Sequence, residues 1–338
     1  MIETIKKYPE MCEEATKLTE GVTVPDYKFN NIIVCGVGGS AIGGDLLKDL
    51  LRDKIMIPIE VSRGYHLPAY ADKDTLIFCV SYSGNTEETL SQFVDAIEKK
   101  CKIIGITSNG KLKEWCDRFN LPCILIPQGY QSRSALPYLF FSMLVCLQKL
   151  KSIELTKEID ESIRTLREIN VSNTKKIVSS LKGSIPVIYA SNEFSAVAKR
   201  LKTQFNENSK VPAKYDIFPE LNHNEIVGYQ NKILNKNSYI IILRDKDEPK
   251  EIKTRIEISK KLIKDKVKGI KEIWVKGKSK LSKMMSLMFI GDVLSYELAA
   301  LNRVDPEKTE NISILKKKLE KKINLVEKLE KKLTNFSV

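Results

Sequence analysis

The chain has 338 residues, 42% hydrophobic and 29% charged, a balance that excludes an intrinsically disordered or collagen-like polypeptide. Its length allows about two domains of ~150 residues. The net charge of +13 admits nucleic acid, a membrane surface or an anionic small molecule. Lysine is spread without interleaved aromatics, zinc pattern or helix-turn-helix signature, so nucleic acid is not the expected partner. The N-terminal MIETIKKYPEMCEEATK mixes both charge signs and has no apolar core like that of a signal peptide, so a cytoplasmic protein is expected.

Strands are expected at NIIVCG, IMIPIEV, TLIFCVSYSG, CKIIGITSN and CILIP, with helices at GGSAIGGDLLKDLL and TEETLSQFVDAIEKK. The apolar run Leu136 to Leu147 is shorter than the ~20 residues of a membrane span and reads as a buried helix, so no membrane partner is expected. Alternating strands and helices predict βαβ units with a parallel sheet and helices on both faces. The charged stretch from Lys151 predicts a connecting helix, after which IPVIYASNEFSAVAKR, NSYIIILRDKDEPKE and VKGIKEIWVKGK repeat the first-half plan without its glycine- and hydroxyl-rich turns. The fold class is therefore α/β with two similar domains, over 1–150 and 151–305, followed by a C-terminal helix over 306–338 that is amphipathic from about Ile312 to Leu333.

Seven cysteines without a CxxC pair or cysteine/histidine cluster argue against a disulfide framework and a zinc site. Cys35 and Cys79 fall inside apolar runs and read as small hydrophobes.

Two turns carry the chemistry. Gly36, Gly38 and Ala41 fit G-x-G-x-x-G/A after a strand, which leaves open a dinucleotide site, another anion site or a tight turn. In SYSGNTEET, Ser81, Ser83 and Thr86 stand between a strand end and a helix start, where unpaired N–H groups and the helix dipole favour an anion. Helix capping, with Asn85 and Glu88 spaced as N-cap and N3, accounts for one side chain there but not three hydroxyls. Phosphate binding is the expectation.

In order along the chain, VGGSAIGGDL, VSRGYHLP, SYSGNTEET, SRSALPYLF, FNEN, ELNHNEIVG and DPEKTENISILK resemble the motifs of the bifunctional phosphoglucose/phosphomannose isomerases, an SIS (sugar isomerase) family best matched in its archaeal type. The resemblance implies two SIS domains and reversible conversion of glucose 6-phosphate and mannose 6-phosphate to fructose 6-phosphate through a cis-enediol, with neither metal nor organic cofactor. By the same resemblance Ser81, Ser83 and Thr86 hold the phosphate, with Gly38, Gly39 and Ser40 lining the crevice.

Glu207 matches the proton-shuttling base, Arg133 the group that stabilises the enediolate, and Lys316 the residue that assists ring opening. Thr309 matches a threonine that helps accept both C2 epimers, and His223 a ring-opening histidine supplied by the neighbouring subunit of a homodimer. Arginine suits charge that develops only during the reaction, and imidazole can both give and take a proton near neutrality. His66 reads as structural. The tail beyond Lys316 admits two readings, a coiled contact between subunits or a solvated helix face. A non-catalytic sugar-phosphate regulator is the alternative, but it would carry a DNA-binding segment that is not evident before Val34. Glucosamine-6-phosphate synthase, which also has two SIS domains, needs a glutaminase domain for which the chain has no room.

Overall fold

The computed structural model describes residues 1–172 and 174–336. Helices α1 (Ile2–Lys6) and α2 (Tyr8–Glu20) lead into β1 (Asn31–Cys35), α3 (Gly39–Leu51), β2 (Ile59–Ser62), β3 (Thr75–Ser81), α4 (Glu87–Glu98), β4 (Lys102–Thr107), α5 (Lys111–Arg118), β5 (Cys123–Leu125) and α6 (Leu136–Lys149). Then come α7 (Thr156–Glu168), α8 (Thr174–Leu181), β6 (Ile185–Ser191), α9 (Ser195–Glu207), β7 (Lys214–Phe218) and two single helical turns, α10 (Glu225–Gly228) and α11 (Lys232–Asn235). The chain continues through β8 (Ser238–Arg244), α12 (Lys250–Ile263), β9 (Gly269–Trp274), α13 (Lys280–Leu301), α14 (Glu310–Ile323) and α15 (Leu325–Leu333). Two compact units result, one of Glu10–Leu155 with the tail from Thr309, the other of Met1–Pro9 with Thr156–Lys308.

The first unit holds a five-stranded parallel sheet in the order β2-β1-β3-β4-β5. Every residue of β3 is buried, as a central parallel strand covered on both faces requires. Ile33, Cys35, Ile77, Cys79, Phe93 and Trp115 form one face of the core; the two thiols are fully buried and pack as small hydrophobes.

The tail differs from the single helix expected. Asn324 adopts φ 46°, ψ 48°, a left-handed conformation that asparagine tolerates, and the chain breaks there into α14 and α15. Helix α15 then packs on α4, with Leu329 and Leu333 in the core beside Phe93 and Trp115. Lys332 Nζ pairs with Glu98 at 2.6 Å and Lys111 Nζ with Glu330 at 3.1 Å. The apolar side of α15 thus belongs to its own unit, whereas α14 has no buried residue.

The second unit has a four-stranded parallel sheet, β7-β6-β8-β9. Its order repeats that of β2-β1-β3-β4, as two similar α/β units demand. Edge strand β7, KYDIF, was not among the expected strands, because its first two residues are exposed and polar or amphipathic. Helix α13 is long and apolar enough to cross a membrane, with mean hydropathy 1.4, yet 72% of that window is buried in the fold. Packing against α7, α8 and α9 makes it the core helix of the unit.

Removing the fully buried Leu333 side chain leaves a cavity against α4. Leu333→Ala should cost about 2–3 kcal/mol, seen as a lowered urea midpoint of Trp115 fluorescence. An unshifted midpoint would mean that α15 contributes nothing to that core.

Candidate active site at the carboxyl ends of the first sheet

The turns after β1 and β3 lie side by side because their strands are neighbours in the sheet, at the edge where open α/β sheets bind ligands. Gly38 leads into α3 with φ 58°. At Gly39 an added Cβ would come within 2.9 Å of Arg133 Cα and 3.0 Å of its N, so the missing side chain lets the backbone ahead of α6 lie directly on the glycine turn. Arg133 is 4% exposed. A permanently charged side chain is thus buried in the segment that rests on the glycine turn.

The hydroxyls are arranged from floor to rim. Ser40 and Ser81 are buried, Thr86 half-buried and Ser83 exposed. The Tyr82 N–H donates to Ser40 Oγ at 3.3 Å, tying one turn to the other, and the Ser81 and Thr86 hydroxyls are 2.8 Å apart. Thr86 is the N-cap of α4, yet its side chain does not cap the helix. The capping alternative fails on a further point: the Asn85 amide oxygen accepts from Lys111 N at 3.0 Å, at the start of α5. Among the described residues no side chain caps the start of α4, and uncapped helix N-termini are positions where anions can be held.

Two residues that sequence reasoning missed hold this turn. The Tyr82 carbonyl accepts from Ser108 N at 3.0 Å and from Ser108 Oγ at 2.6 Å. The Tyr82 phenol donates to the Pro127 carbonyl at 3.2 Å and accepts from Tyr130 N at 2.8 Å, so it fixes the loop that delivers Arg133. Burial pushes this phenol's pKa up, which keeps it a donor. The available signal was TSNG at the end of the adjacent strand, a second hydroxyl turn beside SYSGNT.

Thr309 and Lys316 lie in the same unit, at the N-cap of α14 and within it. Lys316 is exposed beside Lys317 and Lys318; among the described residues neither Thr309 nor Lys316 makes a side-chain hydrogen bond to the two turns. His66 is also in this unit, its Nδ1 3.2 Å from Asp95 Oδ2, a surface contact at the base of its loop.

Glu207 and His223 belong to the second unit. Glu207 is the last residue of α9. His223 is exposed on the loop between β7 and α10 and, among the described residues, its imidazole makes no hydrogen bond or ion pair. That loop is nevertheless anchored on both sides of the ring. Leu221 and Tyr229 are buried, Asn222 Nδ2 donates to Ser259 Oγ at 2.8 Å, and the Tyr189 hydroxyl donates to Glu225 Oε1 at 3.2 Å.

Among the described residues, the turn after β8 carries no serine or threonine. At the end of β8, the strand corresponding to β3, Arg244 is buried and donates to Glu248 Oε1 at 2.9 Å and Glu257 Oε1 at 3.0 Å, and also to Glu272. The Glu248 carboxylate accepts from Asp245 N at 2.8 Å as well. Among the described residues no side chain caps the start of α4 in the first unit, whereas carboxylates hold Arg244 at the corresponding strand end of the second.

Comparison with known proteins fits this geometry. The chain is 40% identical over 334 residues to a bifunctional phosphoglucose/phosphomannose isomerase of Caldicellulosiruptor bescii, covering 94% of this chain and 98% of that protein. The chain belongs to the bifunctional phosphoglucose/phosphomannose isomerase family. A family member from Aquifex aeolicus is 37% identical over 299 residues, covering 87% of this chain and 91% of its own. Residues 170–319 match the bacterial phospho-glucose isomerase C-terminal SIS domain. In solved structures the fold of this phosphoglucose/phosphomannose isomerase relative recurs in a hypothetical protein of Thermus thermophilus, with a TM-score of 0.76, 14% identity and coverage of 94% and 89% of the two chains.

The hydroxyl turn makes a direct prediction about anions. Ser81→Ala should weaken inorganic phosphate binding by about 1.5–3 kcal/mol, roughly ten- to a hundredfold, measured by titration calorimetry. Unchanged affinity would remove Ser81 from the anion site.

Proposed function

We propose that this protein interconverts glucose 6-phosphate and fructose 6-phosphate, and mannose 6-phosphate and fructose 6-phosphate, as a cytoplasmic homodimer. The observation that carries this reading is the grouping of the Ser40, Ser81 and Thr86 hydroxyls at the sheet's carboxyl edge, with the backbone of buried Arg133 against Gly39. The names and extents of the similar proteins support it.

In this reading Ser81, Ser83 and Thr86 hold the phosphate, with Gly38, Gly39 and Ser40 lining the crevice. A dianion there gains from several hydroxyl donors and the uncapped start of α4. His223, supplied by the partner subunit, moves the proton between the ring oxygen and O1 as the sugar opens, and Lys316 assists. Glu207 takes the C2 proton and returns it to C1, while the hydroxyl proton on O2 is exchanged for one on O1. A carboxylate, ionised at neutral pH, can accept that proton without a large shift. Arg133 stabilises the enediolate between the two transfers, where a fixed cation acts most strongly on charge that exists only transiently. Glucose and mannose differ at C2, so one base serves both only if the intermediate turns about C2–C3; the small Thr309 side chain leaves room for that. No metal or organic cofactor enters these steps.

Glu207→Gln should lower isomerisation by about 10²–10⁴-fold in a coupled assay while sugar-phosphate binding persists. Mixed with inactive His223→Ala chains and allowed to exchange subunits, it should regain part of the activity. Near-normal turnover of the single variant would refute the base assignment; absence of recovery, with exchange verified, would refute the shared site.

A further inference from the structure

Helix α9, which ends in Glu207, is held by a buried polar stripe. Arg200, Gln204 and Asn208 recur every four residues and so share one face of the helix. Their partners lie three positions apart on α13. Arg200 Nη2 donates to Asp292 Oδ2 at 2.6 Å and Gln204 Nε2 to Asp292 Oδ1 at 2.9 Å. One turn on, Asn208 Nδ2 donates to Ser295 Oγ at 2.9 Å, and Ser209 Oγ to the Ser295 carbonyl at 2.6 Å. The Tyr8 hydroxyl also donates to Asp292. Arg200, Gln204, Asn208, Asp292, Ser295 and Tyr8 are each at most 2% exposed.

This arrangement contributes direction more than stability. A buried ion pair can often be replaced by apolar side chains with little loss, but an apolar face tolerates rotation and sliding that a carboxylate with three donors does not. Burial first, and then the Asp292 charge, hold the Tyr8 hydroxyl well above its usual range, so it donates as a neutral phenol. Burial pulls Arg200 downward, but Asp292 and then Tyr8 more than offset it. Glu207 stands three residues after Gln204 and one before Asn208, between two fixed points on a terminal turn that would otherwise fray. A proton-transferring carboxylate needs such fixing, since small misplacement costs rate rather than binding.

We propose that Asp292 and Ser295 are positioning residues for Glu207, setting the rotation and height of the last turn of α9. The inference rests on Glu207 being the base. Gln204→Met removes one bond and Ser295→Ala two, those of its hydroxyl with Asn208 Nδ2 and with the Asp292 carbonyl; both leave the Arg200–Asp292 pair in place, so they test it without the unfolding risk of Asp292→Asn. Per folded molecule, both should lower kcat about tenfold with the KM for fructose 6-phosphate within about twofold, and Ser295→Thr, which keeps the hydroxyl, should restore kcat. Glu207→Gln is assayed alongside. An active Glu207→Gln would overturn the base assignment and this inference with it. An inactive Glu207→Gln beside folded Ser295→Ala and Gln204→Met proteins with unchanged kcat would overturn the positioning role alone. Equal changes in kcat and KM, not rescued by threonine, would also count against it.

Discussion

A Cβ at Gly39 would fall within 2.9 Å of the Arg133 Cα, and the first unit's site is built around that close approach. Because residue 39 has no side chain, the backbone before α6 rests on the glycine turn and Arg133 is drawn into the protein. Sheet order then places the hydroxyl turn alongside; the Ser40–Tyr82 contact ties the two turns together, and the Ser81–Thr86 contact braces the second within itself. In the proposed reading, the hydroxyls and the buried guanidinium are therefore fixed before any ligand arrives, and such preorganised electrostatics need little rearrangement during a reaction.

The two units share a strand order but differ at the carboxyl ends of their strands. The first leaves its β3 turn unfilled by capping side chains, while the corresponding β8 end in the second is occupied by Arg244 and its carboxylates, with the guanidinium 4.8 Å from the centre of the Trp274 ring. The second unit's buried polar stripe orients the end of α9, and its anchored loop after β7 presents His223 without a partner of its own among the described residues.

The parts legible in the sequence were those in which chemistry and local pattern coincide. SYSGNTEET announced both a strand end and an anion turn, and β1, β3, β6 and β8 were apolar enough to recognise. Strand β7 was missed because an edge strand with exposed Lys214 and Tyr215 lacks the apolar run of a central one. The break at Asn324 escaped because the heptad-like run of leucines and lysines continues through it; only the packing of Leu329 and Leu333 on α4 reveals the turn. Tyr8 and Asp292, 284 residues apart, could not be paired by any local signal, and Tyr82 was hidden between the two serines that drew attention.

Proton transfer at carbon, performed by a residue at the end of α9 on a sugar anchored by its phosphate, is the central claim. Its most direct measurement is isomerisation of glucose 6-phosphate in D2O, with the product followed by NMR through many forward and reverse turnovers. Deuterium should accumulate at C1 of fructose 6-phosphate at a rate that collapses in Glu207→Gln. Fructose 6-phosphate that stays fully protiated at C1 after the aldose and ketose have equilibrated repeatedly would contradict it.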